Sequence, residues 1–161
     1  MKKILIVILS MCMPFWANAQ LSFSNTAVTD KPITNPALVI QQGARTLEIM
    51  ANLRALPLGS GKYQLINSDA ALSSNLYGVA YDHTQKAYTF LTGDISFKVA
   101  NGSNLSSLPS TISLRSKLIA NPSTYVLNVT TPADIVNLFN LLKSSSAVDW
   151  TEVFTIQGVV S

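Results

Sequence analysis

The feature that most restricts the fold is a block near the end of the chain where a two-residue period yields to a capped helix and then returns. Tyr125, Leu127 and Val129 alternate with Val126, Asn128 and Thr130, as expected of a strand with one buried face. Thr131 stands at the N-cap, Pro132 at the first helical position, where a missing N–H costs nothing, and Asp134 near the positive end of the helix dipole. Ile135, Leu138, Phe139 and Leu142 then form one apolar stripe, and Ser144-Ser145-Ser146 ends the helix. Val148 and Trp150 alternate with Asp149 and Thr151 as a final strand, with Trp150 expected in the core. Glu152 lies on the same side as Val148, Trp150 and Phe154, so a regular strand would aim a charge into the apolar face. Either the strand ends there or the position is used.

Upstream, residues 21–36 carry Pro32 and Pro36 without a sustained period and read as an extended arm. Residues 37–56 read as a helix, with Leu38, Ile40, Ala44, Leu47, Ile49, Met50 and Leu53 giving a broad apolar face that Pro57 and Gly59 terminate. Gly59-Ser60-Gly61 is a turn, since no Gly-Lys-Ser/Thr follows it as a phosphate loop requires. Residues 62–66 form a short strand. Residues 75–82 and 86–91 form a hairpin around Asp82-His83-Thr84-Gln85, with Tyr77, Val79 and Tyr81 facing Tyr88 and Phe90. A short helix over 103–108, blocked by Pro109, precedes a strand within 111–120, whose Arg115 and Lys117 guard it if it lies at an edge. Asn121-Pro122-Ser123 turns into the 125–130 strand. Residues 91–156 thus run strand, short helix, strand, strand, helix, strand.

Lys2-Lys3, an apolar run from Ile4 and Ala17-Asn18-Ala19 before Gln20 have the form of a secretory signal cleaved after Ala19, which places the mature chain in the periplasm or the medium. Pro14 and Asn18 interrupt the apolar run short of the ~20 residues a bilayer span needs. Cys12 follows Met11, where a lipoprotein signal would have a small residue. Cleavage removes this only cysteine, so about 140 residues must hold together through one core without disulfides. It also removes two of the eleven basic residues, leaving nine against eight acids, so the pI of 9.1 overstates the mature charge. No basic cluster with interleaved aromatics suggests a nucleic-acid footprint.

The residues Thr92, Gly93, Ile95, Phe97 and Lys98 at the start of the 91–156 unit, with Val148, Trp150 and Glu152 at its end, give it a pattern that resembles the propeptide domain of subtilisin-type serine proteases. Without an attached protease, it is most similar to propeptide-like inhibitors and to external chaperones of bacterial subtilisin- or kexin-like proteases. The resemblance implies an α+β, ferredoxin-like (β-α-β-β-α-β) antiparallel sheet with two helices. It divides the chain into a signal peptide (1–19), an N-terminal arm and helix (20–74) and a propeptide-like domain with a C-terminal tail (75–161). It further implies a secreted chaperone and inhibitor, monomeric when free, that binds a subtilisin-like protease through its sheet and lays its tail in the substrate cleft. Asp149 and Glu152 would meet N-termini of protease surface helices, whose free N–H groups favour carboxylates. Phe154, Ile156, Gly158, Val159, Val160 and Ser161 would run along the cleft as an added strand.

Two other classes compete. A Ser/Thr/Asn-rich surface and an extended arm also suit a non-enzymatic exported adhesive or surface-binding module. A small hydrolase would have to use Asp82 and His83, the only histidine, but neighbouring turn residues seldom form a relay, and a solvated histidine is the plainer expectation. No Gly-x-Ser-x-Gly elbow occurs, and one histidine with scattered carboxylates spaces no zinc set or calcium loop. No enzyme activity, cofactor or metal is therefore expected, nor any nucleic-acid or membrane partner after signal cleavage.

Overall fold

The computed structural model describes residues 31–161 apart from Asn121, so the signal-peptide assignment lies outside the described residues. Its strands are β1 (Val39–Gln42), β2 (Arg45–Gly59), β3 (Lys62–Asn67), β4 (Tyr77–Asp82), β5 (Ala87–Val99), β6 (Ser116–Ala120), β7 (Thr124–Asn128), β8 (Val148–Ile156) and β9 (Val159–Val160). The α-helices are α1 (Ser110–Ser113), a single turn, and α2 (Pro132–Ser144), with 3₁₀ turns at Pro36–Leu38 and Leu105–Ser107.

The ferredoxin-like expectation is overturned. Strands make up 52% of the described residues, and nine of them form one mixed sheet served by only two helices. The largest single correction is the segment 37–56, which is not a helix but the hairpin of β1 and β2, with Val39 opposite Glu48 and Gln42 opposite Arg45. β2 then pairs with β4 as well as β3, so the sheet runs without interruption across positions 73 and 74. The short helix expected over 103–108 is a 3₁₀ turn at Leu105–Ser107, which stops before Pro109. Pro109 stands at the N-cap of α1, which occupies residues expected to begin a strand.

Two long strands organise the sheet by changing partners along their length. The first part of β5 pairs with β4 and its second part with β7, while β8 runs along the opposite edge. β2 likewise holds β1 and then β3 on one edge, and β4 on the other. β8 passes through Gln157 and Gly158 into β9, which pairs in parallel with β3. The strands β3, β2, β4, β5 and the β8–β9 segment therefore close a circuit of hydrogen-bonded neighbours.

Ring stacking shows the curvature. Tyr63 on β3 and Phe90 on β5 are three strand spacings apart, about 14 Å in a flat sheet, yet their ring centroids lie 4.1 Å apart. They form a small core with Ala55 and Val79, bordered by Met50, Tyr77, Ile156 and Val160. On the opposite face, Leu47, Ile49, Leu91, Ile95, Phe97, Leu127 and Val153 pack with Ile135, Val136, Phe139 and Leu142 of α2. The Thr131 hydroxyl accepts from the Asp134 N–H and caps α2 where the local sequence predicts. Burying the α2 stripe contributes roughly 1.5–3 kcal/mol for each large side chain relative to exposure.

Candidate functional site

Cross-strand register sorts the two sides of the β6-β7-β5-β8 half of the sheet. Leu118, Tyr125, Phe97 and Thr151 form one row, on the α2 side. Lys117, Val126, Ser96 and Glu152 form the next row, and residues next to one another along a strand face opposite sides. The second row belongs to the side away from α2, which no helix covers among the described residues.

Trp150 and Phe154 flank Glu152 on that open side. This corrects one expectation, since Trp150 is not a core residue, and of the two alternatives for Glu152 it excludes a strand end. The strand continues to Ile156, and the residue it buries is Val153, between Glu152 and Phe154. Trp150 keeps 41% of its surface exposed and Phe154 48%, and Glu152 is exposed between them. Glu152 therefore faces water, and its Oε1 accepts from Gln42 Nε2 at 3.4 Å. Asp149, beside a shift in the β5–β8 register, pairs with Lys98 Nζ at 3.4 Å.

The residues expected to form a cleft-binding strand divide into two groups. Phe154 lies on the open face. Ile156 and Val160 border the small core, and Gly158 packs on the Tyr63 ring so closely that a Cβ there would fall within 3.0 Å of it. The Val159 N–H donates to the Gly61 carbonyl at 2.9 Å and the Ser161 N–H to the Tyr63 carbonyl at 2.8 Å. The tail is thus a strand of this protein's own sheet. Its engagement is non-local, and nothing in the sequence near residue 159 announces it.

Asp82 and His83 turn apart and form no relay. Asp82 is fully buried, accepting from Arg45 Nε at 2.7 Å and from the N–H groups of Thr84 and Gln85. His83 is not a solvated turn histidine. Its Nε2 lies 2.8 Å from Glu48 Oε2, and its ring meets Tyr81 edge-on. Glu48 is also buried, and its other oxygen accepts from the N–H groups of Thr34 and Asn35 and from the Thr34 hydroxyl. Lys31 lies over the Tyr88 and Tyr81 rings and donates to the Tyr88 hydroxyl. These contacts strap residues 31–35 to the sheet, a role the helical reading of 37–56 concealed. Even in a strand, alternation with Leu47 and Ile49 assigns Glu48 to the polar side, so its burial under residues 34–35 has no local signal. Among the described residues, no three His, Cys, Asp or Glu side chains gather as a metal site.

Burial alone would raise the Glu48 pKa, but the Thr34 hydroxyl, His83 and the Asn35 and Thr34 N–H groups together hold it below the usual glutamate value. Burial likewise opposes ionisation of Asp82, and the Gln85 N–H, Arg45 and the Thr84 N–H reverse it. Depressed folded-state values mean that both carboxylates contribute stability above their unfolded values and lose it as pH falls through the folded ones. The urea midpoint should therefore hold steady from pH 7 to about pH 5 and drop below that. Glu48→Gln should cost about 2 kcal/mol at neutral pH and flatten part of the acid drop. An acid profile identical to the parent's would show that Glu48 does not carry it.

Compared with protein-family models, curated proteins and solved structures, the chain matches none of them.

Proposed function

We propose that the mature chain is an exported, non-enzymatic protein-binding module that docks on the surface of a secreted subtilisin-like serine protease, as chaperone and inhibitor, through the open face of β5, β7 and β8. The observation that carries this reading is the exposed Trp150-Glu152-Phe154 row on the side that α2 leaves bare. Two half-exposed aromatics around a carboxylate suit a protein surface that offers apolar side chains and a helix N-terminus. The choice of protease rests on the resemblance carried by Thr92, Gly93, Ile95, Phe97, Lys98, Val148, Trp150 and Glu152. The face can dock without rearrangement. The tail must first leave β3, giving up the bonds to Gly61 and Tyr63. Face contact is accordingly the first event and tail insertion a later one.

The double substitution Trp150→Ser with Phe154→Ser tests this. Both side chains are half exposed, so unfolding free energy should change by less than about 1 kcal/mol. Inhibition of a subtilisin-type protease should weaken on the order of 100-fold, as for loss of two interface aromatics. If the parent neither inhibits nor forms a complex with such proteases, including those secreted by its own cell, the reading fails. Self-assembly or surface retention in their absence would then favour the adhesive module.

A further inference from the structure

Among the described residues β6 ends the sheet, since β7 is its only strand neighbour there, and both of its sides face water. Edge strands that avoid pairing are short, charged or bulged, and β6 is short, carries Lys117 and shifts register between Leu118 and Ala120. Its aliphatic exposure does not fit that defence. Leu118 and Ile119 are each 52% exposed, and Leu114, just before the strand, is 84% exposed. Solubility does not require these residues, and they leave aliphatic surface exposed beside an unpaired backbone edge.

Charge narrows the occupant. No carboxylate occurs between Asp94 and Asp134, so the β6–β7 hairpin carries Arg115 and Lys117 with no acid of its own. The Arg115 guanidinium donates to the Asn128 carbonyl, while Lys117 has no carboxylate partner among the described residues. Pairing β6 with β6 of a second copy would gather the cations of both copies on one short ladder with nothing to offset them. We propose that β6 accepts an extended segment of a partner protein by strand addition, and that this segment alternates carboxylates with aliphatic residues. Main-chain bonds to the free edge would supply affinity, Lys117 would select for acid on one side of β6, and Leu118 would select for apolar side chains on the other. This inference does not depend on the open-face reading, because it uses the free main-chain edge of β6, three strands away from β8, although Lys117 points to the same side of the sheet as Glu152.

The test uses the mature chain, a synthetic peptide of alternating aspartate and valine, and its lysine-for-aspartate counterpart, each added up to millimolar concentration. Hydrogen exchange of the residue 116–120 amides and peptide fluorescence anisotropy are read together. The acidic peptide should protect β6 amides and bind at least tenfold more tightly than the basic one. Lys117→Glu, an exposed change that leaves the fold intact, should weaken binding of the acidic peptide about tenfold, and Trp150→Ser should leave it unchanged. The inference is overturned if neither peptide protects β6, if both bind equally, or if β6 amides are already protected in a self-associated form without peptide.

Discussion

Replacing Gly93 by alanine should cost on the order of 4 kcal/mol or more, among the largest losses available to a single methyl group in this chain. Gly93 sits where β5 leaves β4, with which it last pairs at Leu91, and takes up β7, with which it first pairs at Asp94. The backbone makes that change at a φ of +89°, a region side chains rarely enter. Strain at such a φ accounts for only 1–3 kcal/mol. The larger part is contact, because a Cβ on Gly93 would press into the Val129 carbonyl oxygen, which is main chain and has no rotamer to yield. The same residue's carbonyl accepts the Val129 N–H at 2.7 Å, so backing away breaks the join between β5 and the end of β7. Gly102→Ala is the matched control. It has a similar φ of +83° with nothing within 4 Å, and it should cost about 1 kcal/mol. Urea midpoints of the two variants decide the matter, and similar losses for both would show that the Val129 contact carries no weight.

Gly93 also marks how far the sequence could be read. Thr92-Gly93 belongs to the pattern that suggested a propeptide, yet the glycine's structural task is a change of strand partner that no local pattern displays. Helix α2 was legible because its signals are local: a cap at Thr131, proline at the first position and a stripe ending at Leu142. The 37–56 segment misled because Leu38, Ile40, Leu47, Ile49, Met50 and Leu53 satisfy a period of two in pieces and a helical period as a whole. Reading Gly43-Ala44 as the hairpin turn between β1 and β2 would have decided it. The parity of β8 misled for another reason. A tryptophan attracts a core assignment, whereas the smaller Val153 is the residue the strand buries. Of the candidate site, the Glu152 anomaly was visible as a charge on an apolar side, and the resolution is that this side is the open one. Closure of β9 on β3 links positions about a hundred residues apart, and periodicity carries no information at that range.

The second large effect belongs to Arg54, whose place in the molecule has no sequence signature. It is almost fully buried, and its guanidinium donates to the carbonyls of Ala70 at 2.7 Å, Ala51 at 2.7 Å and Leu53 at 2.9 Å. Two of these carbonyls, those of Ala51 and Leu53, come from an irregularity. Between Met50, which pairs with Val79, and Arg54, which pairs with Gly78, β2 holds three residues for which β4 has no partner. Burial lowers the Arg54 pKa and the charge of Asp69 opposes the shift. Exchanging a buried ion pair for apolar side chains is often neutral, because both charges disappear together. That does not apply here, since the acceptors are main-chain carbonyls and stay when the arginine goes. Arg54→Met should therefore leave several buried carbonyls short of a donor and cost about 3–5 kcal/mol, seen as a lower urea midpoint. Arg54→Lys should recover only part, because one ammonium cannot reproduce a planar fork reaching Ala70 on one side and Ala51 with Leu53 on the other. Hydrogen exchange should quicken first at residues 51–53 and at the Ser68 amide, which donates to the Asn52 carbonyl at 3.0 Å. A methionine variant as stable as the parent would mean that the bulge satisfies its own carbonyls and that Arg54 merely fills space.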